Sequence, residues 1–432
     1  MLFESSTIAL QPAMDRLFSL LDAGSFTELA SHAECGVAAG YGTVEGRLVY
    51  VYSQYGAVNT AHAAKLARLY AAAMQMGAPV VAFLSSPGLA LEDNLRALDA
   101  YGRVFACMAE ANGVVPQIAV VAGRCMGTAA YIAALSDFVV VTEADGCLLL
   151  ESPAAAPAET AKTETAASQG GAKAAVAAGL AHFTAPGMQE ASHLVKDLLA
   201  YLPSNNLDEA PIGMFVDDLA RDGAQPPATH AEAIALLADN QRFLACGQAR
   251  AAGTLTAFAR VNGYSTGFIA VEGALSAAAC DKAAAFARFC DAFSIPLVVL
   301  NAATGYDMEG NQAAVLQSGA RLLAALSQAT VPRVCLLTGP AYGSPYLLLN
   351  SHHIGADITL AWPTANLAAM PPQAAERVLN FAAPSHPEAA AEAGFIDQII
   401  TPAETRAMLV SALEMLNAKR AARHAKKHSG KL

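Results

Sequence analysis

The chain has 432 residues, a formal net charge of −11 and 54% hydrophobic residues. Its length predicts two domains of about 200 residues each, and its acidic balance argues against a nucleic-acid partner. No apolar stretch reaches the roughly 18 residues that a membrane helix needs, and the N-terminus lacks the pattern of a secretory signal, so we expect a soluble cytoplasmic protein.

The first half begins with a predicted hairpin. Its sequence is GYGTVEGRLVYVYSQ, residues 40–54, with the turn at Glu45-Gly46. A predicted helix, AHAAKLARLYAAAMQM, leads to a buried strand, VVAFLSS, that ends at Pro87-Gly88. A second proline-led strand then runs through VVPQIAVVAGRCMG, residues 114–127.

The second half repeats this order. A hairpin in FARVNGYSTGFIAVEG, with its turn at Asn262-Gly263, precedes the helix DKAAAFARFCDAF and the strand LVVLNA, which ends at Thr304-Gly305. Four pairs of matching residues, one in each half, are separated by 217 or 216 positions. The pairs are Pro79 and Pro296, Gly88 and Gly305, Pro116 and Pro332, and Gly127 and Gly343. The spacing predicts an internal duplication. Each half is expected to be an α/β domain whose mainly parallel sheet is covered by helices.

The domain boundaries follow from the same pattern. We expect an N-terminal domain over residues 1–203 and a C-terminal domain over residues 230–432. Residues 204–229 contain several prolines and little apolar periodicity, which predicts a connector.

Four glycine turns are the candidate sites of chemistry: Ser86-Pro87-Gly88, Cys125-Met126-Gly127-Thr128, Ala303-Thr304-Gly305 and Tyr342-Gly343-Ser344-Pro345. Each is predicted where a buried strand leads into a helix, and the first N–H groups of a helix lack internal partners. Two such groups aimed at one point form an oxyanion hole. The alternative is that they are ordinary turns of an α/β fold. The adjacent histidines at 352 and 353 are not expected to bind a metal.

The chain resembles the carboxyltransferase component of biotin-dependent acyl-CoA carboxylases and decarboxylases. Members include propionyl- and acetyl-CoA carboxylase β subunits, transcarboxylase, and subunits of glutaconyl- and methylmalonyl-CoA decarboxylases. The resemblance rests on four motifs among others: RLFSLLDAGSFTEL, AGYGTVEGRLVYVYSQ, FARVNGYSTGFIA and GADITLAWPTANLAAM. It implies a duplicated crotonase-type fold, with one ββα-spiral domain in each half.

The resemblance also implies the ligands and partners. The N-terminal domain would bind an acyl-CoA, and the C-terminal domain would bind biotin held on a separate biotin carboxyl carrier protein, with no metal involved. Biotin carboxylase or membrane decarboxylase subunits are the further partners expected. A homo- or hetero-oligomer, either a dimer or a hexamer, is the expected assembly.

By position, the resemblance places the catalytic oxyanion holes on Gly127 and Thr128 and on Ser344 and Pro345. Substrate-binding positions fall on Ser86, Gly88, Met126, Gly305, Tyr342, Gly343 and Leu347. The glycine turns differ from the family pattern, and the sharpest difference is Pro345, because proline has no N–H to donate. Leu347 replaces a residue that is often Asp in propionyl-type members.

Two main functions follow. One is an active subunit that moves a carboxyl group between biotin and an acyl-CoA through an enolate stabilised by backbone N–H groups. The other is a catalytically impaired companion that assembles with an active paralogue; if Pro345 limits the rate, Pro345→Ala should raise it. A third possibility, hydration or hydrolysis of a CoA thioester, would use Glu92 or Asp93, which otherwise favour the start of a helix.

Overall fold

The structure is a computed structural model. It describes residues 2–30, 35–150, 170–213, 217–220, 226–308, 311–379, 385–419 and 421. Two compact units are present: Met1–Pro211 with Cys246–Arg250, and Ile212–Ala245 with Ala251–Leu432. Within the described ranges, no helix combines the length and apolar character needed to cross a membrane.

The first unit is an α/β fold. Its strands are β1 Thr27–Glu28, β2 Val37–Val44, β3 Arg47–Gln54, β4 Val80–Ser86, β5 Gln117–Met126, β6 Phe138–Thr142, β7 Cys147–Leu149 and β8 Phe183–Ala185. Its helices are α1 Leu2–Leu20, α2 Thr60–Met76, α3 Leu95–Ala111, α4 Ala130–Leu135, α5 Ala172–Ala177 and α6 Met188–Tyr201. The sheet order is β1-β2-β3-β4-β5-β6-β8, with β7 paired to β5. Pairs from β3 onward are parallel. Leu66, Tyr70 and Val104 belong to its apolar core.

The second unit repeats this architecture. Its strands are β9 Phe243–Cys246, β10 Thr254–Val261, β11 Tyr264–Leu275, β12 Leu297–Tyr306, β13 Arg333–Leu337, β14 Pro340–Tyr342, β15 Ile358–Ala361, β16 Asn366–Ala368 and β17 Gln398–Ile399. Its helices are α7 His230–Leu237, α8 Ala277–Ala292, α9 Gln312–Gln328, α10 Gly343–Leu348, α11 Pro372–Leu379, α12 Pro387–Glu392 and α13 Pro402–Leu416. The main sheet has the order β17-β15-β13-β12-β11-β10-β9, and β14 pairs with β16. The predicted duplicated α/β fold is confirmed.

Both predicted hairpin turns are confirmed, and an aspartate caps each of them. The two central residues have positive φ in both turns, 51° and 77° in the first and 51° and 82° in the second, as in type I′ turns. Asp22 accepts the N–H groups of Glu45 and Gly46 at 3.0 and 2.9 Å. Asp239 accepts those of the second turn at 3.0 and 2.6 Å. The two aspartates are also 217 positions apart in the sequence.

A buried lysine joins helix to hairpin in each unit. The ammonium group of Lys65 donates to the carbonyl of Val37 at 3.2 Å, and that of Lys282 donates to Thr254 at 2.7 Å. Lysine and acceptor are each displaced by 217 positions between the units. Lys65 also pairs with Glu28 at 2.7 Å. A buried ammonium group needs such partners, so the duplication extends to polar contacts inside the units.

The pentapeptide Cys246–Arg250 completes the first unit although it follows β9 in sequence. The N–H of Gly247 donates to the carbonyl of His182 at 2.8 Å. Arg250 covers Gly179 so closely that a Cβ added there would clash with its guanidinium group. The first unit is therefore built from two separate stretches of chain.

A carboxylate supports the sheet at equivalent places in the two units, but its surroundings differ. Asp137 accepts the N–H of Gln117 at 2.8 Å, and Asp357 accepts that of Arg333 at 2.8 Å. Asp357 also pairs with the ammonium group of Lys419 at 2.7 Å. Burial raises the pKa of Asp137 to about 7.

We expect Asp137→Asn to flatten the pH dependence of unfolding. The folded chain keeps a proton on Asp137 that the unfolded chain releases above about pH 4, so the free energy of unfolding falls as the pH rises from about 4 to about 7. Urea unfolding at pH 5 and pH 8 measures this difference. Asp357→Asn serves as the control, since it removes an ion pair and should destabilise the protein at pH 8. An unchanged pH 5 to pH 8 difference in Asp137→Asn would contradict the assignment.

Candidate functional site

Two glycine turns have the same backbone conformation in the two units. Met126, at the end of β5, has φ −119° and ψ 150°, and Tyr342, at the end of β14, has φ −124° and ψ 145°. The glycines that follow, Gly127 and Gly343, have φ of 61° and 59°. A positive φ favours glycine, so the duplicated sequence position is also a duplicated backbone position.

Each of these turns opens a helix. Gly127 begins a 3-10 turn, Gly127–Ala129, that runs into α4, and Gly343 begins α10. The first N–H groups of such a turn have no acceptor within the helix, and the helix dipole adds positive potential there. These are the groups of Gly127 and Thr128 in one unit and of Gly343 and Ser344 in the other. Such an arrangement can stabilise a ligand oxygen that gains negative charge.

The Gly88 turn lies directly against Met126. Gly88 has a φ of 105°, and a Cβ added there would lie 3.0 Å from the carbonyl oxygen of Met126. Ser86, only 1% exposed, donates to the carbonyl of Gly56 at 3.0 Å and accepts the N–H of Gly88 at 3.2 Å. The Ser86 hydroxyl therefore holds the turn in place. Two of the predicted turns thus meet at one point in the first unit.

The predicted turn at Gly305 is wrong. β12 continues through Gly305 to Tyr306, and α9 begins only at Gln312. The reason is long-range, because β11 also extends to Leu275 and its ladder with β12 resumes after a bulge, with Ala274 opposite Gly305. At Gly88 the helix is likewise not immediate, since α3 begins at Leu95. The two acids considered as catalytic groups lie in the intervening 3-10 turn, Leu91–Asp93.

A cavity of about 480 Å³ lies beside the start of α10 in the second unit. Its walls come from α10, the end of β16, the region of α12 and two aromatic rings: Gly343, Ser344, Tyr346, Leu347, His353, Leu367, Ala368, Ala369, Ala389, Ala390, Ala393 and Phe395. Gly343, Ser344 and Leu347 were among the predicted site residues, whereas Tyr342 and Pro345 do not line it. The cavity therefore adjoins the first N–H groups of α10.

His353, considered in the sequence only as a metal ligand, and Phe395 are wall residues that were not predicted as part of the site. Their rings meet edge to face with centroids 4.5 Å apart, and His353 lies 5.8 Å from the ring of Tyr346. Burial, together with the neighbouring His352, lowers the pKa of His353. Residues 367–369 also belong to the wall, and the GADITLAWPTANLAAM motif was the signal that could have pointed to them. Among the described residues, no group of three potential metal ligands is present.

Pro345 is the third residue of α10 and is buried. An N–H at this position would have no acceptor within the helix, so proline is accommodated there without breaking it. Gly343 and Ser344 keep their N–H groups. The first turn of α10 therefore retains two adjacent backbone donors.

For the carboxyl transfer that the resemblance implies, we expect Pro345→Ala to change the rate by less than about threefold, because two adjacent donors already suffice for an oxyanion hole. The initial rate with saturating substrates is measured for the variant and for the wild-type protein. Equal melting temperatures of the two proteins serve as the check that the variant is folded. A rise of about a hundredfold, which is the typical value of one such donor, would show instead that the N–H missing at residue 345 limits the reaction.

Known proteins resemble this chain over nearly its whole length. Residues 10–383 match the family described as carboxyl transferase domain. The methylmalonyl-CoA decarboxylase subunit alpha of Veillonella parvula is 36% identical, over 96% of this chain and 92% of the relative. The propionyl-CoA carboxylase beta chain of Saccharopolyspora erythraea is 34% identical, over 96% of this chain and 89% of the relative. A crystal structure of transcarboxylase 12S aligns with this chain with a TM-score of 0.91 at 33% identity, over 96% of this chain and 92% of the other. That structure is a hexamer with hydrolysed methylmalonyl-coenzyme A bound.

Proposed function

The chain belongs to the carboxyl transferase domain family, and on this premise we propose that it is a subunit that moves a carboxyl group between biotin and an acyl-CoA. The observation that carries the proposal is the repeated strand, glycine turn and helix at Gly127 and Gly343, with matching backbone angles. A transfer between two ligands needs two places where a developing negative charge is stabilised. The duplication supplies one in each unit.

In this proposal the domain of residues 1–203 binds the acyl-CoA, and the domain of residues 230–432 binds biotin. Residues 204–229 connect the two domains. The N–H groups of Gly127 and Thr128 would hold the thioester oxygen as the enolate forms, with Gly88 and Met126 shaping the turn. No acidic or basic side chain is required at that point, because the backbone donors are fixed in advance.

The cavity beside α10 suits the bicyclic ring of biotin. Its volume of about 480 Å³ lies within the range typical of small-molecule sites. Leu347, Leu367 and Phe395 give it apolar walls, and the first N–H groups of α10 stand at its edge. Biotin, on its carrier, supplies the nitrogen atom that carries the carboxyl group. The residues of this chain bind the ring and orient it.

The partners we propose are a biotin carboxyl carrier protein and either a biotin carboxylase or a membrane decarboxylase subunit. The assembly we propose is a dimer or a hexamer; the transcarboxylase 12S relative is a hexamer. The alternative of an impaired companion gains no support from the altered turns, because Gly127 and Gly343 keep the conformation that presents the donors.

The experiment is carboxyl transfer to free biotin by the purified chain. Malonyl-, methylmalonyl- and glutaconyl-CoA are offered in turn, and loss of the acyl-CoA and formation of carboxylated biotin are followed by mass spectrometry. We expect turnover with at least one of the three. Folded protein that transfers carboxyl from none of them would reject the proposed activity, and turnover only after addition of a paralogous subunit would favour the companion.

A further inference from the structure

The side chains of Tyr306 and Ser344 meet at the start of α10. Tyr306 is the last residue of β12, and Ser344 is the second residue of α10. The phenol oxygen of Tyr306 lies 2.9 Å from Oγ of Ser344 and donates to it. A phenol is far more acidic than an aliphatic hydroxyl, so the phenol is the better donor of the pair.

This direction of donation leaves the serine proton available. A hydroxyl has one proton to donate and two lone pairs to accept with. Because Oγ of Ser344 accepts from Tyr306, its own proton can be donated elsewhere. Ser344 lines the cavity, whereas Tyr306 does not, so a ligand in the cavity can accept that proton.

The position of Ser344 is fixed from both ends of its helix. The side-chain amide of Asn301, itself fully buried in β12, donates to the carbonyls of Tyr346 and Leu349 at 3.1 and 3.2 Å. These carbonyls lie at the C-terminal end of α10, where that of Tyr346 also accepts the N–H of Leu349 at 3.3 Å. The Tyr306 contact holds the other end, so α10 is tied to one strand at two points. A hydroxyl held in this way loses little conformational entropy when it binds.

We propose that the Ser344 hydroxyl is a ligand-binding group of the cavity, with Tyr306 as its positioning residue, and that it donates a hydrogen bond to the ureido oxygen of biotin. The inference rests on the proposed function for the identity of the ligand. It adds a side-chain donor next to the N–H groups of Gly343 and Ser344, in the helical turn where Pro345 offers none.

The test compares Ser344→Ala, Tyr306→Phe and the double variant with the wild-type chain. Free biotin binding is measured by titration calorimetry, and kcat/KM for carboxyl transfer to free biotin is measured in parallel. We expect Ser344→Ala to weaken both by about tenfold, the usual value of one hydrogen bond, and Tyr306→Phe to weaken both by less. Tyr306→Phe should add no further loss in the Ser344→Ala background, because it acts through that hydroxyl. Tyr264→Phe, at a 41% exposed hairpin tyrosine, is the control and should match the wild type.

Several results would overturn the proposal. Biotin binding by Ser344→Ala equal to that of the wild type would do so, as would independent losses that multiply in the double variant. A wild-type chain that binds no free biotin also overturns it. If the wild type binds biotin but transfers no carboxyl, the proposed function fails while the binding comparison still decides the role of Ser344.

Discussion

Gly88→Ala should abolish carboxyl transfer and lower the free energy of unfolding by about 2–3 kcal/mol, since a side chain there combines a strained backbone with a steric clash. The φ of Gly88 is 105°, a value that residues with a Cβ rarely adopt. The new Cβ would also lie 3.0 Å from the carbonyl oxygen of Met126. The turn must then move away from Met126, and the donors of Gly127 and Thr128 would no longer stand beside it. Denaturant unfolding and steady-state kinetics measure the two effects.

Two alanine variants serve as controls. Gly305 holds the matching position in the repeat, but its φ is not positive and no atom lies within 4 Å of a Cβ added there, so Gly305→Ala should leave the free energy of unfolding nearly unchanged. Gly102 lies on the exposed side of α3 with equal space, and Gly102→Ala should stabilise the protein by about 0.5–1 kcal/mol at unchanged activity. Equal stability losses in Gly88→Ala and Gly305→Ala would contradict this account.

Asp239→Ala should destabilise the second unit by about 3–5 kcal/mol, because it leaves a buried guanidinium without its partner charge. Arg406 is fully buried, and its Nη2 donates to Asp239 at 2.5 Å. The same carboxylate also accepts the two N–H groups of the Asn262-Gly263 turn. Trp362, the single tryptophan, is buried in this unit and donates to Thr405, the neighbour of Arg406. Its fluorescence during urea unfolding therefore reports the change.

Asp22→Ala is the matched control in the first unit. Asp22 caps the equivalent turn, but it is only partly buried, and its carboxylate accepts from the turn and from the Thr43 hydroxyl rather than from a buried arginine. Water can therefore replace it, and the loss should be clearly smaller than for Asp239→Ala, as measured by circular dichroism. Comparable losses at the two positions would show that the turn cap, rather than the buried charge pair, carries the effect.

The repeat made much of the fold predictable from the sequence. A spacing of 217 positions located both hairpins, and the same spacing relates Lys65 to Lys282, so comparing the halves residue by residue could have found that contact too. The conformation at Gly305 could not be predicted in this way, because it depends on how far β11 extends beside it. The meeting of Tyr306 and Ser344 joins residues 38 positions apart, and it depends on how α10 packs against β12.

The pentapeptide Cys246–Arg250, which completes the first unit, limits where this polypeptide can be divided into separate fragments. A gene split in the connector, near residue 229, would produce a first fragment that lacks the segment covering Gly179 and bonding to His182. That fragment should be less stable than the same unit within the intact chain, and a synthetic peptide of residues 246–250 should restore part of the loss. A cut placed after residue 250 would keep the first unit whole, but it would remove α7, Asp239 and β9 from the second unit.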